Sequence, residues 1–368
     1  MTNGLLPEGL RDRLPPQAAS LSSLLRAVLD CVGAHGYDLV SPPLAEFEEE
    51  LVGRLKSARS RDLLRFVDPV SQRTLALRPD ITAQIGRIAT TRMAHAARPL
   101  RLSYGGPVLK LRATQLRPER ELVQAGAELI GSDSITAVTE IMRIAIESLA
   151  ATGVTGITLD VTLPDLVDAL AAGPWPVAPE RIEAIKAALD AKDAGALGDA
   201  DAVQFMPLLS AAGPLPAALA VLRGLGISDL IEERLSALES IAVALPDVRI
   251  TLDPTERHGF EYQSWIGFSL FGDGLSGEAG RGGSYTIVHE DRSEEPAVGF
   301  SLYLDPLVDA GLLQGSARRL FVPLGSDTAV AAHLRGDGWI TVAAIAPTCR
   351  AEALGCTHWF DGDRPTEL

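Results

Sequence analysis

Alternating apolar and polar residues predict three short β-strands between Arg98 and Gly131. The first begins at Leu100 and breaks at Gly105-Gly106-Pro107. The second covers 108–112 and leads into a polar, arginine-bearing turn at 113–120. The third covers 121–130, and its more apolar face carries Val123, Ala125, Ala127 and Leu129. This pattern favours antiparallel strands joined by a polar loop.

The opposite face of the third predicted strand carries two polar residues. Gln124 and Glu128 lie four positions apart and therefore project to the same side. A glutamate is rare in a protein interior unless it has a partner. This face is therefore either solvated or part of a binding site, and the alternation alone leaves both interpretations open.

The rest of the chain alternates predicted helices with short strands, which indicates an α+β protein. The prolines at 42 and 43 favour an edge or interface strand just before them. Several prolines divide the alanine- and leucine-rich stretch after 164 into short helices. We predict one core over 1–316, with a helical insertion at about 164–245, and a small α/β piece over 317–368. The predicted elements are helices over 17–35, 81–93 and 133–151, the start of a helix over 44–51, strands over 37–40, 64–68, 74–77, 156–163 and 248–253, and a strand–helix–strand tail with an irregular end near 358.

Composition narrows the possible functions. The 368 residues are 46% apolar and 22% charged, which is typical of a globular protein, and the net charge is −15. An acidic balance argues against a protein that mainly grips a phosphate backbone. We see no signal peptide and no apolar run long enough to span a bilayer, so we expect a cytoplasmic protein. Three cysteines without CxxC or HxxxH spacing predict free thiols and no metal site.

The segment from Arg98 to Gly131 resembles motif 2 of the class II aminoacyl-tRNA synthetases, and specifically of the histidyl enzymes. Gly106-Pro107 and Gln124-x-x-x-Glu128 fit that motif. Residues 295–308 resemble motif 3. Residues 36–46, together with the predicted helix before them, resemble motif 1, which forms the dimer interface of the family. The resemblance covers about residues 6–312. It implies a mostly antiparallel sheet flanked by helices and a homodimer.

The resemblance also implies a pocket for histidine. Leu77-Arg78-Pro79-Asp80-Ile81-Thr82 resembles a family segment whose glutamate binds the α-amino group, although Asp80 is one methylene shorter and also suits a helix start. Residues 257–263 resemble the signature loop beside bound histidine, and the glycine-dense segment 277–285 is either a flexible turn or the wall of the pocket. The implied histidine-binding residues are Asp80, Gln124, Glu128, Glu261, Tyr262 and Tyr285.

The cationic groups of the family's adenylation chemistry are missing. Activation of histidine places negative charge on the phosphates of ATP, and the family stabilises this charge with three arginines. At those positions this chain has Lys110, His258 and Pro306. The tail also looks too short for the family's anticodon-reading domain, so we expect no tRNA partner.

A chain that keeps most of the residues for binding histidine but lacks the arginines for ATP resembles the regulatory subunits of ATP phosphoribosyltransferase. These form a family paralogous to the histidyl enzymes. The resemblance implies a non-catalytic protein without a cofactor. Its partner would be a short-form catalytic subunit in a larger hetero-oligomer, in the first step of histidine biosynthesis. Two other hypotheses stay open at this point: a divergent histidine-activating enzyme, and a stand-alone amino-acid sensor.

Overall fold

The computed structural model describes residues 6–52, 55, 63–111, 119–198, 202–227, 229–257, 262–315 and 318–368. The chain divides into two compact units, one ending at Leu313 and one running from Gln314 to Leu368. Among the described residues, the first unit has a nine-stranded and a three-stranded sheet, the second has a four-stranded sheet, and hydrophobic core clusters lie within each unit. Within the described ranges, no helix combines the length and the apolar character that crossing a membrane would require.

The first unit is built on a large mixed sheet. The described strands of this unit are β1 (Asp38–Leu39), β2 (Ala45–Phe47), β3 (Leu64–Val67), β4 (Thr74–Leu77), β5 (Leu100–Leu109), β6 (Glu121–Ile130), β7 (Thr158–Thr162), β8 (Gly213–Pro214), β9 (Arg249–Leu252), β10 (Gln263–Phe271), β11 (Gly280–Val288) and β12 (Glu294–Tyr303). In the described part of the chain, nine of them form one sheet in the order β1-β5-β6-β12-β11-β10-β7-β9-β8. Its neighbours are antiparallel except β1 with β5 and β7 with β9. The predicted, mostly antiparallel sheet is confirmed.

Helices cover the two faces of this sheet. They are α1 (Gln17–Ala34), α2 (Glu48–Val52), α3 (Thr82–Thr91), α4 (Ile135–Ala151), α5 (Leu166–Ala172), α6 (Pro179–Asp190), α7 (Leu215–Gly224), α8 (Asp229–Ala244) and α9 (Asp305–Asp309), with a 3₁₀ helix at Val203–Ala211. The predicted apolar face of β6 is buried in one core with α1 and α4. The opposite face adjoins a second core that contains Ile85 of α3 and Tyr104 of β5. The face with Gln124 and Glu128 therefore lies inside the molecule.

Two predicted strands are one in the structure. We expected a break at Gly105-Gly106-Pro107, but β5 continues through these residues and pairs with β6 in unbroken register. Proline is tolerated here because β1 pairs with β5 only at Leu102 and Ser103, which leaves a strand edge beyond them. The carbonyl of Pro107 accepts a hydrogen bond from Nε of Arg78 at 2.8 Å.

The prediction of a helix start over 44–51 was wrong in its first half. Ala45–Phe47 forms β2, which pairs with β4, and the helix begins only at Glu48. The acidic character misled the prediction because Glu46 is not solvated. Glu46 as a whole is 8% exposed, and its carboxylate accepts hydrogen bonds from Arg87 and Gln84 of α3.

The second unit is a small α/β sheet. Its elements are β13 (Arg319–Val322), α10 (Thr328–Gly336), β14 (Ile340–Ala343), β15 (His358–Phe360) and β16 (Pro365–Glu367), in the strand order β14-β13-β15-β16. The irregular end that we predicted near His358 was wrong. Strands β15 and β16 have three residues each, too few to show a periodic pattern, and they are held by pairing with β13 and with each other.

Candidate functional site

The candidate site lies on the inner face of β6, where glycines on neighbouring strands leave room for polar side chains. Gly299 of β12 pairs with Glu128, and Gly126 pairs with Ser301. A Cβ atom on Gly299 would overlap Oε2 of Glu128, and one on Gly126 would overlap the carbonyl oxygen of Phe300. The absence of side chains at these two positions therefore creates the space that the site occupies.

Glu128 is the centre of the site and is 1% exposed. Its Oε1 accepts hydrogen bonds from the hydroxyls of Thr82 at 2.8 Å and Tyr104 at 3.1 Å. Its Oε2 accepts one from the hydroxyl of Tyr285 at 2.8 Å. These donors come from α3, β5 and β11, so three separate elements converge on one carboxyl group.

Burial raises the pKa of Glu128 from its ordinary 4.5 to about 8, although the hydroxyl donors favour the charged form and act against that rise. The nearby charge of Asp80 raises the pKa further. Burial also raises the pKa of Tyr104 and of Tyr285 well above 10. At neutral pH the Glu128 carboxyl is therefore mostly protonated, and the tyrosines remain hydrogen-bond donors.

Gln124 and Asp80 form the second half of the site. Nε2 of Gln124 donates to Oδ2 of Asp80 at 2.7 Å and to Oγ of Ser301 at 2.8 Å, and Oε1 of Gln124 accepts from the backbone N–H of Ile81 at 3.1 Å. Oδ1 of Asp80 accepts from the backbone N–H of Thr82 at 2.7 Å. Asp80 therefore satisfies a backbone N–H at the start of α3 and also contacts Gln124 of the site. A carboxylate has further lone pairs, so it can still accept from an ammonium group.

Tyr262 faces the same group of residues. Its ring meets that of Tyr285 edge to face, with 6.0 Å between the centroids. Burial, followed by the charges of Asp80 and Glu128, raises the pKa of Tyr262 well above 10. The structure thus brings together five of the six residues that the resemblance implied. Glu261, like His258, lies outside the described residues.

Thr82, Tyr104 and Ser301 belong to the site but were not among the predicted site residues. Oγ of Ser301 lies 2.7 Å from the hydroxyl of Tyr104, so a chain of hydrogen bonds runs from Gln124 through these two side chains to Glu128. Thr82 was visible in the motif Leu77-Arg78-Pro79-Asp80-Ile81-Thr82. Tyr104 and Ser301 look like ordinary strand residues, and only the register of β5, β6 and β12 brings them together. We call Asp80, Thr82, Tyr104, Gln124, Glu128, Tyr262, Tyr285 and Ser301 the Glu128 cluster.

Two of the three positions where the resemblance predicted a lost arginine, Lys110 and Pro306, lie among the described residues. Nζ of Lys110, just after β5, lies 5.8 Å from the ring centre of Tyr303. Pro306 lies in the first turn of α9, beside Asp305. Asp305 is 2% exposed, pairs with Arg13 and accepts a hydrogen bond from the backbone N–H of Val123 at 2.8 Å. The start of α9 therefore carries a buried carboxylate beside a proline.

The Glu128 cluster suits a small ligand with N–H donors. Its acceptors are the carboxyl oxygens of Asp80 and Glu128, and its hydroxyls can adjust to donate or accept. An imidazole and an ammonium group are ligands of this kind. A zinc site would more often use histidine or cysteine ligands, and the group with that composition among the described residues lies elsewhere, at Cys31, His35 and Glu147.

Glu128 should make stability depend on pH. Its folded pKa, about 8, exceeds its ordinary 4.5, so the native state binds the proton more tightly than the unfolded chain between these values. The resulting stabilisation is complete below about pH 4.5 and declines as the pH rises towards 8.

Glu128→Gln stays neutral, so we expect its free energy of unfolding to decline less than that of the parent chain over this range. Urea unfolding at several pH values measures this, and Glu239→Gln, on the exposed surface of α8, should keep the parent slope. Equal slopes for the parent chain and Glu128→Gln would contradict the account.

Comparisons with known proteins agree with this fold. The family model described as Histidyl-tRNA synthetase matches residues 9–307. The chain is 41% identical, over 99% of its length and 98% of the relative's, to the ATP phosphoribosyltransferase regulatory subunit of Paramagnetospirillum magneticum. It is 38% identical, over 99% of its length and 96% of the relative's, to the protein of the same name from Rhodospirillum centenum.

A solved structure supports the same fold assignment. It is described as an ATP phosphoribosyltransferase regulatory subunit/histidyl-tRNA synthetase from Bacillus halodurans C, and it matches with a TM-score of 0.80 at 24% identity over 96% of each chain. The fold predicted from the motifs is therefore confirmed. The chain belongs to the ATP phosphoribosyltransferase regulatory subunit family, which has the fold of the histidyl-tRNA synthetases.

Proposed function

We propose that this chain is the non-catalytic regulatory subunit of an ATP phosphoribosyltransferase. In this proposal it assembles with a short-form catalytic subunit, is required for its activity, and transmits feedback by histidine in the first step of histidine biosynthesis. The observation that carries the proposal is the 41% identity, along nearly the whole chain, to a relative named as this subunit.

The charges around the site support a non-catalytic role. Joining a carboxylate to the α-phosphate of ATP needs fixed cations at the phosphates, and the loss of one preorganised donor costs about 10²–10³ in rate. Lys110 keeps a charge but lacks the two-pronged geometry of arginine. Pro306 has no side-chain donor, and its neighbour Asp305 is an acid paired with Arg13. At the third position where the resemblance implies an arginine, this chain has His258.

We further propose that the Glu128 cluster holds histidine. The α-ammonium group would lie against Asp80, and the imidazole would share a proton with Glu128. Gln124, Tyr262 and Tyr285 would line the same space, with Glu261 as the sixth residue implied by the family. A buried carboxyl group with a raised pKa is well matched to imidazole, because the proton can lie on either partner.

The proposed assembly is a homodimer, formed through residues 36–46, within a larger hetero-oligomer. A net charge of −15 favours a protein partner over tRNA. The free thiols are consistent with the reducing cytosol.

Two assays distinguish this function from a histidine-activating enzyme. Mixed with the short-form catalytic chain of the same genome, the protein should elute as one complex, larger than either component, in size-exclusion chromatography with light scattering. Alone, it should show no histidine-dependent exchange of pyrophosphate into ATP. Exchange above the background of a Glu128→Ala variant, without a complex, would overturn the proposal in favour of the enzyme.

A further inference from the structure

A second cluster of chemically active side chains lies outside the Glu128 cluster, where α1 packs against α4. Cys31 lies in the last turns of α1, and His35 follows the end of this helix one turn later. Glu147 projects from α4. One ligand atom from each residue lies within 4.8 Å of the other two, and Nε2 of His35 is 2.8 Å from Oε2 of Glu147. A thiol, an imidazole and a carboxylate therefore meet at one point of the surface.

We propose that Cys31, His35 and Glu147 bind a zinc ion. Thiolate, imidazole and carboxylate are the three ligand types that zinc takes in proteins, at about 2.0–2.3 Å from the metal. Ligand atoms around one tetrahedral ion are then roughly 3.2–3.8 Å apart. The present separations need changes of about 1 Å, which side-chain rotation supplies because His35 and Glu147 are exposed and Cys31 is half-buried. Calcium and magnesium prefer oxygen ligands alone, so the thiol selects against them.

The surroundings leave a place for a fourth ligand. His35 also lines a surface pocket of about 440 Å³, together with Glu140, Arg143 and Thr139 of α4. Three protein ligands and one solvent ligand are the usual arrangement of an open zinc site. Glu140 is held by the hydroxyl of Tyr37 at 2.9 Å and by Arg101 of β5. Because His35 follows the end of α1 and Glu147 belongs to α4, a metal here would fasten the turn between α1 and β1 to α4.

The sequence hid this site. Cys31 and His35 have the spacing of one helical turn, but the third ligand lies more than one hundred residues away and joins them only through the packing of α1 on α4. The alternative is an ion pair between His35 and Glu147 in which the Cys31 thiol takes no part. That alternative predicts no metal-dependent property of Cys31.

Cobalt titration of the full-length, reduced protein separates the two readings. We expect one equivalent of Co²⁺ to produce a thiolate-to-cobalt charge-transfer band in the near ultraviolet and intense tetrahedral d–d bands in the visible, and Zn²⁺ to displace it. Cys31→Ser should abolish the charge-transfer band. His35→Gln and Glu147→Gln should each weaken metal binding more than about tenfold. Circular dichroism verifies that each variant is folded.

Matched controls use the other unit of the chain. Cys349→Ser removes a half-buried thiol. His333→Gln breaks the exposed histidine–carboxylate pair with Asp337, which belongs to no group of three metal-type ligands among the described residues. Both variants should bind cobalt as the parent does. An absent charge-transfer band in the parent, or the same band in Cys31→Ser, would overturn the proposal.

Discussion

Glu128→Gln is expected to weaken histidine binding about 10- to 100-fold, because glutamine offers imidazole only a neutral hydrogen bond. Glu128 can instead pass its proton to the imidazole and form a charge-assisted hydrogen bond, worth about 1.5–3 kcal/mol. Glutamine has the shape of the protonated glutamic acid, and the pKa of about 8 makes that form the main one at neutral pH. The variant should therefore fold. Glutamine cannot exchange a proton with imidazole, so the loss should appear in ligand binding.

Isothermal titration calorimetry with L-histidine measures this effect. For the parent chain, histidine affinity should change with pH as Glu128 and the ligand imidazole titrate together. For Glu128→Gln the part of that dependence due to Glu128 should vanish. A purely structural role would change the affinity but leave the shape of the pH profile intact.

The control for this experiment is Glu239→Gln, which makes the same chemical change on the surface of α8. Glu239 pairs with Arg223 in an exposed position, so the substitution should not change histidine affinity. Equal affinity and an equal pH profile in Glu128→Gln and the parent would remove the Glu128 cluster from the proposed binding site.

Gly126→Ala is expected to destabilise the fold by roughly 3 kcal/mol or more. The added Cβ would overlap the backbone carbonyl oxygen of Phe300 and would also lie within 2.8 Å of the hydroxyl oxygen of Tyr104. A carbonyl in the middle of a sheet cannot rotate away without loss of its pairing. Relief would require β6 and β12 to separate where the Glu128 cluster is assembled.

Gly33→Ala is the matched control for this prediction. Gly33 lies within α1, and a Cβ built on it meets no atom within 4 Å. Gly33 lies in the last turn of α1, where alanine is favoured over glycine by at most roughly 0.5–1 kcal/mol, so this variant should be as stable as the parent or slightly more stable. Urea unfolding of both variants measures the difference. A Gly126→Ala protein as stable as Gly33→Ala would show that the close approach of β6 and β12 is not required.

The alternation of residues along β6 predicted which side chains share a face, because a strand has a fixed period of two. It could not predict that the polar face is buried, since this depends on α3 and on glycines of β12 far along the chain. For the same reason, the roles of Tyr104 and Ser301 depend on strand register, which no local pattern encodes. The family resemblance supplied Asp80, Gln124, Glu128, Tyr262 and Tyr285, which the local patterns alone would have left scattered.

Errors in the predicted elements have related causes. The prediction of a break at Pro107 followed a local rule, but the position of Pro107 beyond the short β1 makes the proline acceptable there. We predicted that the glycine-dense segment 277–285 is either a flexible turn or the wall of the histidine pocket. Most of it forms the central strand β11, where glycines permit close packing against β10 and β12. In each case contacts distant in sequence outweighed local propensity.

The most direct test of the central claim is the rate of phosphoribosyl transfer to ATP by the short-form catalytic chain of the same genome, measured with and without this protein over a titration of histidine. We predict that the rate rises when this protein is added, reaches a plateau at a fixed ratio of the two chains, and falls as histidine increases. With Glu128→Gln, the activation should remain and the histidine concentration for half-inhibition should rise. A catalytic chain whose rate is the same with and without this protein, at every histidine concentration, would contradict the account.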